Sequence, residues 1–236
     1  MKISVIIPVL NERQTLPAAV AALRACEDLG EIIVADGGST DGTLEWLGLE
    51  SDVVVLNAAR GKGPQINAGA ALAQHDLLLF LHADCILSQS AFAAMQSAAS
   101  DPRIAGGAFC VRFAEARPRS LHVVAAGINL RARIRRSATG DQGIFVRKNV
   151  FTSIGGAPDW PLFEDVELVR RIKLAGKFAI VKTPITISPR RYLVYGVWRT
   201  VFLVYSLRLG YWLGISPQRL KLWFKDVRPS RAEESL

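Results

Sequence analysis

A chain of 236 residues with 50% hydrophobic and 21% charged side chains has the composition of a folded globular protein, which argues against disorder. Its three cysteines, Cys26, Cys85 and Cys110, are odd in number and lack metal-ligand spacing, which argues against a disulfide framework or a zinc ribbon and favours a reducing, cytoplasmic compartment. The net charge of +8 is uneven, because residues 1–110 hold 6 basic and 12 acidic side chains whereas residues 111–236 hold 23 and 9. A second half this basic indicates a polyanionic partner, namely nucleic acid, a diphosphate or anionic lipid.

No segment of the sequence has the pattern of a signal peptide or of a membrane-spanning helix. The apolar run at the start is interrupted by Pro8 and then by polar residues from Asn11, with no small-residue cleavage site after it. No window reaches the roughly 20 consecutive apolar residues that span a bilayer. Residues 192–215 come nearest, but Arg199 and Arg208 interrupt them. We therefore predict that this segment can lie on a membrane but does not cross it.

The first hundred residues alternate short apolar runs with helical patterns. The patterns predict strands at 3–9, 31–35, 53–56 and 77–81, and helices at 15–29, 41–47, 63–74 and 89–99. Continuous apolar strands that alternate with helices indicate a parallel sheet with helices on both faces. Ligands of such sheets bind at the carboxyl ends of the strands. We therefore expect a site formed by the loops at 8–13, 36–41, 59–63 and 82–85.

The rest of the chain is less regular. The patterns predict strands at 106–113 and 178–181, a short strand after a Gly-rich turn at 140–143, and helices at 120–136 and 164–175, the last ending at Gly176. Two further helices are predicted to follow, the second opened by Ser216 and Pro217. We divide the chain into one α/β domain at 1–190 and a C-terminal helical extension at 191–236.

A polar loop follows the second predicted strand. Asp36 comes directly after buried residues, where a carboxylate is costly unless it accepts hydrogen bonds. A base or ribose of a nucleotide would supply such donors. The alternative is an ordinary loop in which Ser39 or Asp41 caps the next helix.

The fourth predicted strand ends in His82-Ala83-Asp84. Two positions apart on extended backbone, His82 and Asp84 lie on the same side. Mg²⁺ or Mn²⁺ would bind one carboxylate oxygen together with substrate phosphates, and His82 as a second ligand would favour Mn²⁺. The alternative is a structural, hydrogen-bonding role for His82.

A pair of carboxylates, Glu164 and Asp165, stands at the start of the helix predicted at 164–175. Paired carboxylates suit acid–base chemistry. The alternative is that they stabilise the helix dipole, since acidic residues recur in first helical turns for that reason.

Five segments, in order along the chain, resemble the inverting family 2 glycosyltransferases of GT-A fold, and the resemblance covers residues 3 to about 192. The segments are an opening strand at 4–12, an acidic Gly-rich loop at 31–43, residues 60–69, His-Ala-Asp at 82–84 and Phe-Glu-Asp at 163–165 before a Glu-Leu-x-x-Arg helix. The sequence departs from the family pattern at Gly37 and His82, where relatives carry Asp. It also lacks the Gln-x-x-Arg-Trp motif of processive relatives, which argues against polysaccharide synthesis. His-Ala-Asp together with Arg190-Arg191 is most similar to a short bacterial subgroup of the family.

The resemblance implies an α/β enzyme, hexosyltransferase-like, that transfers a sugar from a nucleoside-diphosphate sugar to an acceptor hydroxyl by a single inverting displacement. By family frequency, UDP is the nucleotide that we expect. It implies Asp165 as general base with Glu164 beside it, and Asp84 as the site of Mg²⁺ or Mn²⁺ with His82 as a second ligand. The implied donor site comprises Pro8, Asn11, Glu12, Asp36, Gly38, Arg60, Lys62, Asn67, His82, Ala83, Arg190 and Arg191, and the implied acceptor side comprises Gly140, Asp141 and Gln142.

The helix predicted at 120–136 ends in four arginines, and an aromatic segment follows from Tyr192. Aromatic faces beside clustered arginine favour peripheral contact with an anionic membrane. That contact would place the protein at the inner face of the cell membrane, with a small-molecule or lipid-linked acceptor. The alternative is a helix packed on the core, with its arginines solvated or bound to phosphate.

Other functions fit the sequence less well. A sugar-nucleotide pyrophosphorylase would carry a basic Gly-rich loop where residues 11–14 are Asn-Glu-Arg-Gln, and no Gly-x-Gly-x-x-Gly follows a strand as in a dehydrogenase. Nucleic-acid binding has only the charge in its favour, so we expect no nucleic-acid partner. An adaptor that binds a sugar nucleotide or a lipid without turnover stays open, because the metal motif is depleted.

Overall fold

The computed structural model describes residues 1–114 and 117–224, and seven strands of these residues form one mixed sheet. The strands are β1 (Ile3–Val9), β2 (Leu29–Asp36), β3 (Val53–Asn57), β4 (Leu77–Phe80), β5 (Ile104–Phe113), β6 (Ile144–Arg147) and β7 (Lys177–Ile187). They lie in the order β3-β2-β1-β4-β6-β5-β7. Strand β6 is antiparallel to β4 and β5, and the other neighbouring pairs are parallel. The predicted α/β fold with a mostly parallel sheet is confirmed.

Helices cover both faces of this sheet. Within the described ranges they are α1 (Leu16–Arg24), α2 (Thr43–Leu47), α3 (Lys62–Leu72), α4 (Gln89–Ala99), α5 (Ser120–Arg135), α6 (Lys148–Ser153), α7 (Glu164–Ala175), α8 (Arg190–Tyr195), α9 (Val197–Trp212) and α10 (Pro217–Lys221). A single 3-10 turn at Gly140–Gln142 precedes β6.

The core has two layers because successive side chains of a strand point to opposite faces. In β1, Val5 and Ile7 pack on the side of α1, α4 and α5, whereas Ile6 packs on the side of α3, α6 and α7. All seven residues of β1 are buried. A third, smaller cluster joins Phe163, at the start of α7, to Leu207 of α9 and Leu220 of α10. This cluster attaches the C-terminal helices to the element that carries the predicted catalytic pair.

Several predicted boundaries differ from the observed ones for identifiable reasons. Helix α1 ends five residues earlier than predicted, because the chain turns at Asp28 with a positive φ of 61° and β2 then begins. Strand β7 continues through Pro184, which is tolerated because β7 is an edge strand with no ladder on its outer side. Helix α6 was not predicted.

Three helices follow β7 where two were predicted, because Gly196 breaks the first from the second with a φ of 84°. Ser216 caps the last one, and its hydroxyl accepts a hydrogen bond from the Arg219 N–H. Within these residues no helix combines the length and the apolar character needed to cross a bilayer. The proposed domain boundary at residue 190 stays a prediction, and residues 225–236 lie outside the described part of the chain.

Candidate active site

The carboxyl ends of β1, β2 and β4 lie side by side, so the loops that follow them meet at one edge of the sheet. Gln65 of α3 ties two of these ends together, since its buried Nε2 donates to the carbonyl oxygens of Val9 and Ala35 at 2.7 Å each. Beside this edge lies a cleft of about 430 Å³, and its other walls come from α5, α8, α9 and the start of α7. The structure thus has a ligand-sized space where the sheet topology predicts one.

The loops after β1 and β2 are cross-linked around Asp36. The Asn11 N–H donates to Ser39 Oγ at 2.9 Å, and Asn11 Oδ1 accepts from the Thr40 N–H at 2.8 Å. Asp36 Oδ2 accepts from the N–H groups of Gly38 and Ser39 at 2.7 and 2.9 Å. The second oxygen, Oδ1, is buried and has no hydrogen-bond partner among the described residues. An unsatisfied buried acceptor of this kind costs free energy that a ligand donor would recover.

Asp84 lies in a partly balanced charge cluster at the cleft. Burial raises the pKa of the Asp84 carboxyl and the nearby Glu12 carboxylate raises it further, whereas Arg190 and Lys62 oppose the shift. Glu12 itself accepts from the Thr15 hydroxyl at 2.8 Å, and its Oε1 lies 3.7 Å from Arg190 Nη2. Two neighbouring carboxylates, one of them with a raised pKa, form an environment that a cation would stabilise.

The residues at this point fit a divalent metal that is held jointly by protein and substrate. Across the described residues no group of three or more His, Cys, Asp or Glu side chains is arranged to hold an ion. Asp84 and Glu12 supply carboxylate oxygens, and Mg²⁺ in particular is commonly bound by one or two carboxylates together with substrate phosphates. His82 Nε2 lies close to Gly140, only 2.7 Å from where a Cβ at that glycine would stand.

Asp165, in the first turn of α7, has its carboxylate fixed by two backbone donors. The Gly140 N–H donates to Asp165 Oδ2 at 2.5 Å and the Val166 N–H donates to Oδ1 at 2.7 Å. A Cβ at Gly140 would lie 2.7 Å from His82 Nε2 and 3.3 Å from Asp165 Oδ2. Glycine at position 140 therefore lets the turn before β6 approach Asp165 closely enough to orient it.

Glu164 is buried beside Asp165 and titrates in an unusual range. Burial, with a further contribution from Asp165, raises the pKa of Glu164 to about 7, and Lys62 acts in the opposite direction. Near neutral pH the carboxyl of Glu164 therefore holds its proton for much of the time. Partial protonation of Glu164 lowers the negative charge beside Asp165, which suits a site where only one of the two carboxylates acts as a base.

In the turn on the predicted acceptor side, one residue has a structural role and another lines the cleft. Gln142 is buried, and its amide donates to the Phe109 carbonyl at 3.0 Å and accepts from Arg131 Nη2 at 3.1 Å. Asp141 lines the cleft and accepts a short hydrogen bond from the Thr139 hydroxyl. The geometry thus leaves Asp141 as the member of this turn that faces the main cleft.

The structure brings most of the predicted site residues together, with Asp84 and Asp165 in the same cleft. Those that line it are Pro8, Glu12, Lys62, His82, Ala83, Asp84, Asp141, Glu164, Asp165, Arg190 and Arg191. Gly140 lines a small adjoining pocket with His82 and Asp165. The others lie outside the lining of both spaces: Asn11, Asp36, Gly38, Arg60, Asn67 and Gln142.

Asn67 has a structural connection instead of a free amide. It donates to the Ala157 carbonyl at 2.8 Å and accepts from the Ala157 N–H at 2.9 Å, which joins α3 to the segment before α7. Arg60 is exposed on the loop after β3. The donor-binding roles of these two residues stay predictions.

Two arginines in the cleft wall, Arg131 of α5 and Arg208 of α9, were not among the predicted site residues. The sequence did contain a signal for Arg208, because it interrupts the apolar segment at 192–215. We used that interruption only as evidence against a membrane-spanning helix. A lone charge in an apolar helix also indicates a function for that charge.

Comparison with known proteins decides the family. The model of glycosyl transferase family 2 matches residues 4–153, which is more than half of the chain. The chain belongs to glycosyl transferase family 2. It is a glycosyltransferase, and the family predicted from the sequence is confirmed; the match includes four of the five segments and ends before Phe-Glu-Asp at 163–165.

Curated relatives match a limited region. Undecaprenyl-phosphate 4-deoxy-4-formamido-L-arabinose transferases of Salmonella paratyphi B and Salmonella newport are each 37% identical over a region that covers 35% of this chain and 29% of theirs. The match therefore spans less than a third of the length of these relatives.

Solved structures of the same fold match most of the chain. S. aureus TarS has a TM-score of 0.63 at 18% identity, with 81% of this chain and 62% of that one covered, and its complex with UDP has a TM-score of 0.64 at 17% identity and the same coverage. The mannosyltransferase PcManGT from Pyrobaculum calidifontis, in complex with GDP-Man and Mn²⁺, has a TM-score of 0.62 at 20% identity and covers 87% of this chain and 61% of its own. These likenesses establish the GT-A fold.

Proposed function

We propose that this family 2 glycosyltransferase moves a sugar from a nucleoside-diphosphate sugar, UDP-linked, to an acceptor hydroxyl by a single displacement that inverts the anomeric carbon. The observation that carries the proposal is that Asp84 and Asp165, far apart in sequence, line one cleft at the carboxyl edge of the sheet. The complexes of TarS with UDP and of PcManGT with GDP-Man and Mn²⁺ support the donor class by likeness of fold.

The donor binds at the edge formed by β1, β2 and β4. Asp36 would accept from the nucleotide base through its unpartnered Oδ1, and because this atom is buried outside the cleft lining, the loop after β2 must open for that contact. Lys62, Arg190 and Arg191 contact the diphosphate, and the arginines suit this task because a guanidinium presents a fixed fork of donors. The Arg191 guanidinium lies 3.9 Å from the centre of the Phe224 ring, a contact that restricts its orientation.

Asp84 is the residue that would hold Mg²⁺ or Mn²⁺, with Glu12 as the neighbouring carboxylate. When bound, such a cation supplies positive charge that offsets the charge on the departing nucleoside diphosphate. The positive side chains of Lys62 and Arg190 act on the same charge from the protein. His82 as a second ligand stays a prediction.

Asp165 is the general base. It takes the proton of the acceptor hydroxyl while the oxygen attacks the anomeric carbon from the face opposite the diphosphate, and the electron pair of the broken C–O bond leaves with the nucleoside diphosphate. The Gly140 N–H holds the carboxylate of Asp165 in place for this transfer. Glu164 beside it is protonated for part of the time near neutral pH and so limits the negative charge at the site.

The test uses two substitutions and a matched control in the full chain. In Asp165→Asn we expect sugar transfer to fall by about 10²–10⁴-fold, the usual contribution of a general base, with UDP affinity near that of the unchanged protein. In Asp84→Asn we expect UDP to lose the increase in affinity that Mn²⁺ gives. Glu45→Gln removes an exposed carboxylate of α2 and should change neither.

Calorimetry with UDP and GDP, each with and without Mn²⁺, followed by a transfer assay, measures these outcomes. Near-normal turnover in Asp165→Asn contradicts the base assignment. Nucleotide binding without turnover for any donor and acceptor would favour the adaptor, which His82 in place of the usual first Asp of the metal motif makes the second candidate.

A further inference from the structure

The far end of the cleft holds two arginines whose positive charge is poorly compensated. Arg131 Nε and Arg208 Nη1 are buried and have no hydrogen-bond partner among the described residues. Burial lowers the pKa of Arg208 and the neighbouring positive charge of Arg131 lowers it further. Two like charges brought together out of water are costly unless an anion joins them.

The nearest acidic side chains are committed to other partners. Asp165 accepts from the N–H groups of Gly140 and Val166, and Asp141 accepts from the Thr139 hydroxyl. Asp141 and Asp165 do act on Arg208 through space, but neither forms an ion pair with it within 4.0 Å in the described structure. Neither carboxylate therefore pairs directly with Arg208, and an added anion could do so.

This pair is distinct from the charges assigned to the donor. The groups that act on Asp84 are Glu12, Arg190 and Lys62. The groups that act electrostatically on Arg208 are Arg131, Asp165, Asp141 and Tyr205. Of these, Asp165 is the proposed base and Asp141 belongs to the predicted acceptor side. Arg208 is thus acted on by the proposed base and not by Asp84 or Glu12, although Arg131 shares the neighbourhood of Tyr192 with Arg191 of the donor side.

The wall around the two arginines is apolar. Two adjacent turns of α5 and one face of α9 contribute Val123, Val124, Ile128, Val201 and Val204, and Leu162 closes the lower side. A charged head against such a wall suits an amphiphile better than a sugar, because a sugar would leave the valines without apolar contacts.

We propose that Arg131 and Arg208 bind the phosphate head of the acceptor, a phosphate monoester joined to an apolar chain that lies along α5 and α9. This deepens the proposed function, on which its catalytic meaning rests. The phosphate oxygens accept from both guanidinium groups, the usual way in which arginine recognises phosphate. The acceptor hydroxyl is then the P–OH of the monoanionic phosphate: its proton passes to Asp165, its oxygen bonds to the anomeric carbon, and the C–O bond to the nucleoside diphosphate breaks.

The first experiment measures binding of geranyl monophosphate, inorganic phosphate and geraniol to the full chain by calorimetry. We expect geranyl monophosphate to bind more tightly than either of the other two, and Arg131→Gln and Arg208→Gln each to weaken it by about tenfold or more. Arg199→Gln, an exposed arginine on α9, is the matched control and should leave it unchanged. Equal binding of inorganic phosphate and geranyl monophosphate would overturn the proposed contact of the apolar chain with α5 and α9. Unchanged binding of geranyl monophosphate in the double variant Arg131→Gln/Arg208→Gln would overturn the whole proposal.

A separate UDP titration distinguishes this inference from the proposed function. Arg190→Gln should weaken UDP and not geranyl monophosphate, whereas Arg208→Gln should do the reverse. Loss of geranyl monophosphate in Arg190→Gln would mean that the probe binds at the donor side and would overturn the inference. Failure of UDP to bind the unchanged protein would overturn the proposed function alone.

Thermal unfolding keeps the inference testable if a variant is poorly folded. Removing a buried charge that lacks a partner should raise the unfolding midpoint of Arg208→Gln in phosphate-free buffer. Geranyl monophosphate should then raise the midpoint of the unchanged protein and not that of the variant. A lower midpoint together with an unchanged response to the probe would make Arg208 a structural residue.

Discussion

At the scale of single residues, Glu164 links stability to pH. Its pKa rises from 4.5 to about 7 on folding, chiefly through burial. Between these two values the folded chain binds more protons at this site than the unfolded chain, so the free energy of unfolding falls as pH rises. Below pH 4.5 Glu164 is protonated in both states and its titration does not change the free energy of unfolding. Above about pH 7 it is ionised in both states, and the full cost of burying its charge is present.

We expect Glu164→Gln to remove this dependence. Relative to the unchanged protein, the variant should gain stability between about pH 5 and pH 7, by at most about 3 kcal/mol given roughly 1.4 kcal/mol per pKa unit. Urea unfolding at pH 5, 6, 7 and 8 measures the gain, with Glu45→Gln as the exposed control. A constant difference between the two proteins over this range would show that Glu164 titrates at its ordinary pKa.

At the scale of elements, the turn between α5 and β6 positions the residue that acts from α7. Gly140 donates to Asp165 from this turn, and its missing side chain leaves space for His82. The turn itself is held by the Gln142 amide, which bonds to the carbonyl of β5 at Phe109. The position of the base thus depends on three elements that are separate in sequence.

Gly140→Ala should break this arrangement. The added Cβ would stand 2.7 Å from His82 Nε2, so the imidazole or the turn must shift, and we expect the Gly140 hydrogen bond to Asp165 to weaken. We expect transfer to fall by about tenfold or more, with UDP affinity unchanged because the donor edge is not touched.

Gly48→Ala is the control, since a Cβ there meets only ordinary contacts at 3.5 Å or more. Steady-state transfer rates and UDP titrations of both variants give the comparison. Normal transfer in Gly140→Ala would mean that the turn does not orient Asp165.

At the scale of the whole molecule, exposed aromatic residues and arginines lie on one surface. The Arg135 guanidinium at the end of α5 lies 6.0 Å from the centre of the Trp212 ring at the end of α9. Most of the side chain is exposed at four aromatic positions, 75% at Phe202, 72% at Trp212, 64% at Trp223 and 62% at Trp198. We propose that this surface, within residues 191–224 and the end of α5, contacts the cytoplasmic face of an anionic membrane.

Flotation with phosphatidylcholine vesicles that contain phosphatidylglycerol tests the contact. We expect the full chain to float, less so at high salt, and Phe202→Ser/Trp212→Ser to reduce the bound fraction by about tenfold or more. The matched control is Leu49→Ser/Leu72→Ser, two exposed leucines outside residues 191–224 and the end of α5. If the unchanged protein stays at the bottom of the gradient, the membrane contact is wrong.

The sequence alone determined the strands, most of the helices and the loops that carry chemistry. Ile3–Val9 and Gln89–Ala99 have the predicted bounds, because a segment rich in β-branched apolar residues and a capped amphipathic helix are local patterns. The family motifs are local in the same sense, since each lies within a dozen residues. The observed elements differ from the predicted ones at Pro184 and Gly196. Strand β7 continues through Pro184 because it lies at the edge of the sheet, and Gly196 separates α8 from α9 because of its backbone conformation.

Only the tertiary structure decided which of these residues act together. Asn67 and Asp84 both belong to family motifs, but only Asp84 lines the cleft. The Asn67 amide is hydrogen-bonded to the backbone of Ala157 instead. Arg131 and Arg208 belong to two helices, and no local pattern predicts that these helices approach each other. Their nitrogens Nε and Nη1 lack hydrogen-bond partners because the packing of the helices removes them from water. Distances between side chains from different elements depend on how those elements pack, and packing depends on contacts that are remote in sequence.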